Sequence, residues 1–167
     1  MPQETIGELI EMAIALERGA EAFYLELAQL FSHHPDVAVF WEQYAKEETG
    51  HALWLEKLQQ RLSDEKLAQP ASSQMVTSAQ RLLQLSPEKM LQSVKTLEDA
   101  YQLAHDLEHS ETNAIFEFLI ADFAIAEQAY PFLRSQLKEH IDRITTEFPR
   151  PFQDKVVRLA IKANRPA

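Results

Sequence analysis

The chain has 167 residues, no cysteine, three glycines and a formal net charge of −10, with 16 Lys and Arg against 26 Asp and Glu. That length, with 46% hydrophobic residues, suits one soluble helical domain. The acidic balance argues against nucleic acid and anionic membrane as partners, because phosphate contacts need clustered cations, and the missing cysteine excludes disulfides, thiolate zinc sites, cysteine-ligated iron–sulfur centres and thiol nucleophiles.

Any metal here therefore needs carboxylate, imidazole or phenolate ligands. Residues 1–30 read as an acidic amphipathic helix and not as a basic leader with an apolar core, and no run of about 18 apolar residues occurs. A cytoplasmic protein is expected.

Four long helices are predicted. The first opens with Thr5 and Glu8 in capping-box spacing and runs to Ser32, where His33, His34 and Pro35 break it. The second takes Asp36 as its cap and runs to Leu62, with Trp41, Tyr44, Glu48, His51, Leu55, Leu58 and Leu62 on one face. Residues 63–86 are polar and Ser/Gln-rich with Pro70, which predicts a long crossover holding at most one short helix. Ser86, Pro87 and Glu88 start another helical segment, and Thr96 with Asp99 caps the third long helix, Leu97 to Glu117. The fourth runs from Asp122 to Glu147. Pro149 and Pro151 then lead into a tail with a short basic helix through Lys155, Arg158 and Lys162. The expected organisation is an all-α antiparallel four-helix bundle over 1–148, with a long crossover between the second and third helices, and a tail over 149–167 with a short C-terminal helix.

Positions three, four and seven apart share a helix face, so the buried face of each helix can be read off. The first buries Ile10, Ala13, Tyr24, Ala28 and Phe31, with Glu17 inside that stripe. The second places Glu48 and His51 inward. The third buries Leu97, Tyr101, Ala104, Ile115 and Leu119 around Glu108 and Glu111, and the fourth buries Ile120, Phe123 and Ile141 around Glu127. An isolated buried carboxylate costs several kcal/mol, and several facing one another repel further, so such a core needs protons or a compensating cation. A pair of divalent metal ions supplies that charge.

An internal repeat points the same way. Ala13, Leu16 and Glu17 align with Ala104, Leu107 and Glu108, while Glu48 and His51 align with Glu127 and Tyr130. The chain thus reads as two copies of a helix pair, one helix carrying Glu and the next carrying Glu-x-x-ligand. In ferritin-like di-iron proteins, two helices each give one Glu and the other two each give Glu-x-x-His.

On these residues the sequence resembles the rubrerythrin branch of the ferritin-like superfamily across 5–145. The resemblance rests on Glu17 with Tyr24, Glu48 with His51, Glu108 with Glu111 and Phe116, and Glu127 with Tyr130. It implies a ferritin-like bundle with two iron ions, Glu48 and Glu127 bridging, and Glu17, Glu108, Glu111 and His51 as terminal ligands. Zinc or manganese is the other metal the set would take. It also implies catalytic roles for Tyr24 and Tyr130, and a function in reducing peroxide or dioxygen or oxidising ferrous iron, as in oxidative-stress defence. The alternative is a non-enzymatic metal-binding bundle with a degenerate site.

The chain departs from the family in two places. It has no cysteine-ligated rubredoxin domain, so an external electron donor is expected. The family's second histidine is replaced by Tyr130, which serves either as a phenolate ligand or as a core tyrosine, with Pro131 kinking the helix beside it. His105 is the candidate substitute imidazole, and His33, His34, His109 and His140 read as surface residues. Glu21 and Arg134 are expected to form an ion pair above the metals, and Glu47, rotated about 100° from Glu48, to be solvated. The stretch between Glu111 and Glu127 lacks Gly and Pro. It forms either a tight hairpin near Phe118–Asp122 or one continuous helix exchanged between the chains of a domain-swapped homodimer; a homodimer is expected.

Overall fold

The computed structural model describes residues 4–123 and 129–149, apart from the side chains of Glu111, Ala129, Tyr130 and Phe132. Eight helices occur among the described residues: α1 (Ile6–Leu30), α2 (Pro35–Arg61), α3 (Asp64–Leu67), α4 (Ser73–Leu83), α5 (Pro87–Leu91), α6 (Leu97–Glu108), α7 (Glu111–Phe123) and α8 (Ala129–Thr146). The fold is all-α. None of these helices is long and apolar enough to cross a membrane. The expected tail helix lies outside the described residues.

The capping box of α1 forms as expected. Thr5 Oγ1 accepts from the Glu8 N–H, and the Glu8 carboxylate accepts from the Thr5 N–H at 2.7 Å. The second helix starts two residues earlier than predicted, with His34 at the cap and Pro35 in the first turn, so Asp36 supplies charge at the helix N-terminus and not the cap. α1 and α2 lie antiparallel, because bonds between them pair rising with falling numbers: Glu11 with Gln59, Arg18 with Glu56, Glu21 with Thr49.

Two regions differ from expectation. Within 63–86 there are two helices, α3 and α4, where at most one was predicted. The second is held by Val76 and Ala79, which bury themselves in the core shared with α1 and α7. That stripe is too short to stand out from a polar background. The crossover is also tied to the chain's start, where Ile6 N–H donates to the Gln69 carbonyl and Ala71 N–H to the Glu4 carbonyl, both at 2.8 Å.

The third predicted helix, continuous to Glu117, is broken at His109 and Ser110 into α6 and α7. Ser110 Oγ accepts from the Thr112 N–H at 3.2 Å and so caps α7, while the Asn113 side-chain amide donates to the Glu108 carbonyl. One orphaned backbone group at each new end is thereby satisfied without Gly or Pro. Of the predicted fourth helix, Ile120 and Asp122 belong to α7, and Ala129–Thr146 form α8. α8 packs on α6 and α7 of its own chain. Its inward stripe is Leu137, His140 and Ile144, continued by the buried Phe148 just past its end, and the expected Phe123 and Ile141 are only half-buried.

The core has two parts. One is aromatic, built from Tyr24, Phe40, Trp41, Tyr44, Tyr101 and Phe148; the other is mainly aliphatic, built around Leu9, Ile10, Leu55, Ile115 and Leu119. The buried Glu17, Glu48 and Glu108 belong to neither cluster. Trp41 stacks on Tyr24 at 5.7 Å and meets Phe40 edge-on at 5.0 Å, with no exposed surface. Trp41→Ala is expected to cost about 3–5 kcal/mol, read from the urea midpoint; a loss under about 1 kcal/mol would show that the aromatic half does not close around it.

Candidate metal centre

Each long helix delivers at least one ionisable side chain to the middle of the molecule. α1 brings Glu17, α2 brings Glu48 and His51, α6 ends on Glu108, and α8 brings His140. The carboxylates are almost fully buried, with 1% of Glu17, 3% of Glu48 and 3% of Glu108 exposed. The repeat seen in the sequence is visible in burial: Ala13 and Glu17 are buried, as are Ala104 and Glu108.

His140 corrects the sequence reading. It was expected at the surface, yet it is 2% exposed and lies against two of the carboxylates. Its Nε2 is 2.9 Å from Glu48 Oε1 and 3.0 Å from Glu108 Oε2, and its Nδ1 is 2.5 Å from Glu47 Oε2. Glu47 is correspondingly not solvated but bound to His140 and, at 2.6 Å, to Arg143 Nη2. The signal was present in spacing, since Leu137 precedes His140 by three and Ile144 follows it by four, which places all three on one face.

On the opposite side of Glu48, His51 Nδ1 lies 3.0 Å from Glu48 Oε2 and 3.4 Å from Glu17 Oε2. Tyr24 Oη donates to Glu108 Oε1 and Asn113 Nδ2 to Glu108 Oε2, so Glu108 is held from α1 and α7 at once. Tyr44 Oη donates to the His140 carbonyl at 2.8 Å.

Other expected partners separate. Glu21 pairs with Arg18 at 2.9 Å and accepts from Thr49, whereas Arg134 pairs with Glu117 at 3.2 Å, so the Glu21–Arg134 ion pair does not form. His105 stacks on His109 with centroids 4.1 Å apart and belongs to neither group of potential ligands. Glu111 is the first residue of α7 and Tyr130 the second of α8, but their side chains lie outside the described residues, as does all of Glu127.

Without metal, protons balance the charge. Burial, and to a lesser degree Glu48, pushes Glu17 up to about 8 against the pull of His51. Burial would raise Glu48 too, but contacts with His140 and His51 outweigh it and hold Glu48 well below the usual carboxylate range. Burial disfavours the charged rings, yet Glu17 and Glu48 lift His51 to about 10, and Glu108, Glu47 and Glu48 lift His140 well above its ordinary value.

The donors fit a pair of hard or borderline divalent ions. Glu17, Glu48 and His51 form one group whose ligand atoms lie within 4.8 Å of one another, Glu48, Glu108 and His140 form another, and Glu48 is common to both. His140 Nε2 is a buried nitrogen set between two carboxylate oxygens, 2.9 Å from Glu48 and 3.0 Å from Glu108. Its other nitrogen is anchored on a carboxylate, the arrangement that orients metal-binding histidines. Carboxylate and imidazole suit iron, manganese and zinc.

Stability without metal should fall with rising pH. Glu17 and His51 titrate near 4.5 and 6.5 in the unfolded chain but near 8 and 10 in the fold, so the native state binds more protons. Their contribution is intact below the unfolded values and is lost as pH climbs toward the folded ones. Melting of chelated protein is expected at lower temperature at about pH 9 than at about pH 6, with the drop reduced in Glu17→Gln; a flat or rising Tm over that interval contradicts the assignment.

The family model described as Rubrerythrin matches residues 8–139. No curated protein and no solved structure gives a significant match to the chain. With two carboxylate–histidine groups sharing Glu48 at the centre and the family pattern covering most of its length, the chain belongs to the rubrerythrin family.

Proposed function

We propose that the protein is a ferritin-like, non-haem di-iron oxidoreductase that reduces peroxide or dioxygen, or oxidises ferrous iron, with electrons returned by an external donor. The observation that carries this reading is the pair of ligand groups meeting at one shared carboxylate, Glu48. Glu17 and His51 would hold one metal, Glu108 and His140 the other, and Glu48 would bridge them. Glu111 and Glu127 are proposed to complete the set, as the family pattern implies. In this scheme His140, and not Tyr130 or His105, supplies the second imidazole.

When bound, two ferrous ions would supply the two electrons that reduction of a peroxide consumes, one from each. The protein's part is placement and proton control. Glu47 fixes the His140 ring by holding Nδ1, which turns Nε2 toward Glu48 and Glu108. Tyr24 is a positioning residue: burial, then the adjacent Glu108, raises its hydroxyl well above the ordinary phenol value, so it keeps its proton and donates to Glu108. The buried aromatic cluster beneath these groups keeps water from their inner side. A homodimer is proposed for the assembly.

Protein from iron-rich medium is expected to carry about two iron atoms per chain, none in Glu48→Ala and about one in His140→Ala, by metal analysis. Anaerobically reduced protein should be oxidised by hydrogen peroxide and turn over with an artificial donor. Tightly held zinc with no peroxide reaction would instead indicate the non-enzymatic metal-binding bundle.

A further inference from the structure

The face of α2 that carries Lys46, Gly50, His51, Trp54 and Lys57 does not close against α8. Between the two helices lies an open cleft of about 820 Å³, with Leu133, Gln136 and Arg143 on the far side and Phe116 of α7 in its wall. Bonds from Glu47 to His140 and Arg143 bridge α2 and α8, in place of close backbone packing. The inner end of the cleft is the candidate metal centre: His51 and His140 line it, and the His51 side chain keeps 16% of its surface exposed while Glu17, Glu48 and Glu108 are shut away.

That volume is far larger than hydrogen peroxide or dioxygen requires. A water molecule occupies about 30 Å³, whereas pockets for organic ligands span about 300–1,000 Å³. Part of the wall is apolar: Trp54 meets Phe116 edge-on at 5.5 Å, Phe116 lies 4.8 Å from the His51 ring, and Leu53 and Leu133 extend this strip among the polar and charged residues that line the rest.

The rim is cationic in an acidic protein. Lys46, Lys57 and Arg143 line the cleft against Glu47 and Glu139, although acids outnumber bases by ten in the whole chain. Arg143 is taken by Glu47, and Glu139 accepts from Ser135. Lys46 and Lys57 are exposed and make no ion pair among the described residues. Eleven residues apart on one helix, they stand about 16 Å from each other along the cleft.

We propose that this cleft binds an apolar molecule bearing a carboxylate, the acid facing a rim lysine and the body lying on Trp54 and Phe116, and that the oxidant it delivers is an organic hydroperoxide of that class. This rests on the di-iron reading for its chemistry but not for its binding. In the reaction the O–O bond of the hydroperoxide breaks, two electrons from the reduced site and two protons enter, and an alcohol and one water leave.

Decanoate is the binding probe, added to the metal-loaded full chain with Trp54 fluorescence as readout. Saturable quenching is expected, absent in Trp54→Phe, weaker for decanol, and shifted about tenfold to higher concentration in Lys46→Glu/Lys57→Glu with an unchanged circular dichroism spectrum. The metal-loaded protein should also consume a fatty-acid hydroperoxide more efficiently than cumene hydroperoxide, which lacks the acid. No quenching, or equal affinity in the charge-reversed protein, overturns the cleft assignment even if hydrogen peroxide is reduced. Decanoate binding with no reduction of any peroxide overturns the di-iron oxidoreductase and the hydroperoxide, and leaves the acid-binding cleft in place. Fluorescence changes that track protein concentration would mark the cleft as a contact with a second copy and likewise overturn the assignment.

Discussion

The structure depends on one electrostatic constraint. Three carboxylates, Glu17, Glu48 and Glu108, are buried together between two apolar clusters, and they are tolerable there only because positive charge is interleaved with them. His51 and His140 occupy the two sides of Glu48, each within about 3 Å of it. Protons on these rings and on Glu17 satisfy the site when no metal is bound. The same lone pairs could serve as metal ligands once those protons leave, so the arrangement is one in which divalent ions could replace protons.

That constraint explains several local features. The break between α6 and α7 sits directly after Glu108, where Asn113 takes both the freed carbonyl and a carboxylate oxygen of the same residue. Tyr24 grips the other oxygen from α1. Glu108 is thus held from two directions, as a group facing other carboxylates must be if it is not to swing away. From α2, Glu47 joins Arg143 and His140 of α8 in a chain that fixes the His140 ring from behind. The aromatic cluster around Trp41 supplies the rigid floor.

The same chain of bonds has a second effect. It spans α2 and α8 at the level of the centre, beside a cleft whose inner end is imidazole, whose wall carries Trp54 and Phe116 and whose rim carries Lys46 and Lys57. Buried carboxylates deep in the molecule and exposed lysines at the mouth, which form no ion pair among the described residues, lie along one path from solvent. A negatively charged substrate would meet attraction at the rim and apolar contact farther in, a polarity matched to a molecule with an acid at one end.

The sequence by itself determined the helical class, the first two helices, the capping of α1 and α6, and the inward carboxylates Glu17, Glu48 and Glu108 with His51 and Tyr24. Each follows from spacing within one helix, where positions three and four apart must share a face. Tertiary structure decided what depends on how helices meet. The rotation and register of α8 brought His140 inward; the face toward α8 turned Glu47 from a solvated charge into a ring holder; and Arg134 met Glu117 of α7, leaving Glu21 to Arg18, its neighbour three residues away on α1. The break at His109–Ser110 escaped the sequence because side-chain bonds from Ser110 and Asn113, and not Gly or Pro, make it possible. Local periodicity sets which way a side chain points from its own helix, but the sequence distance between helices leaves their relative rotation free until packing fixes it.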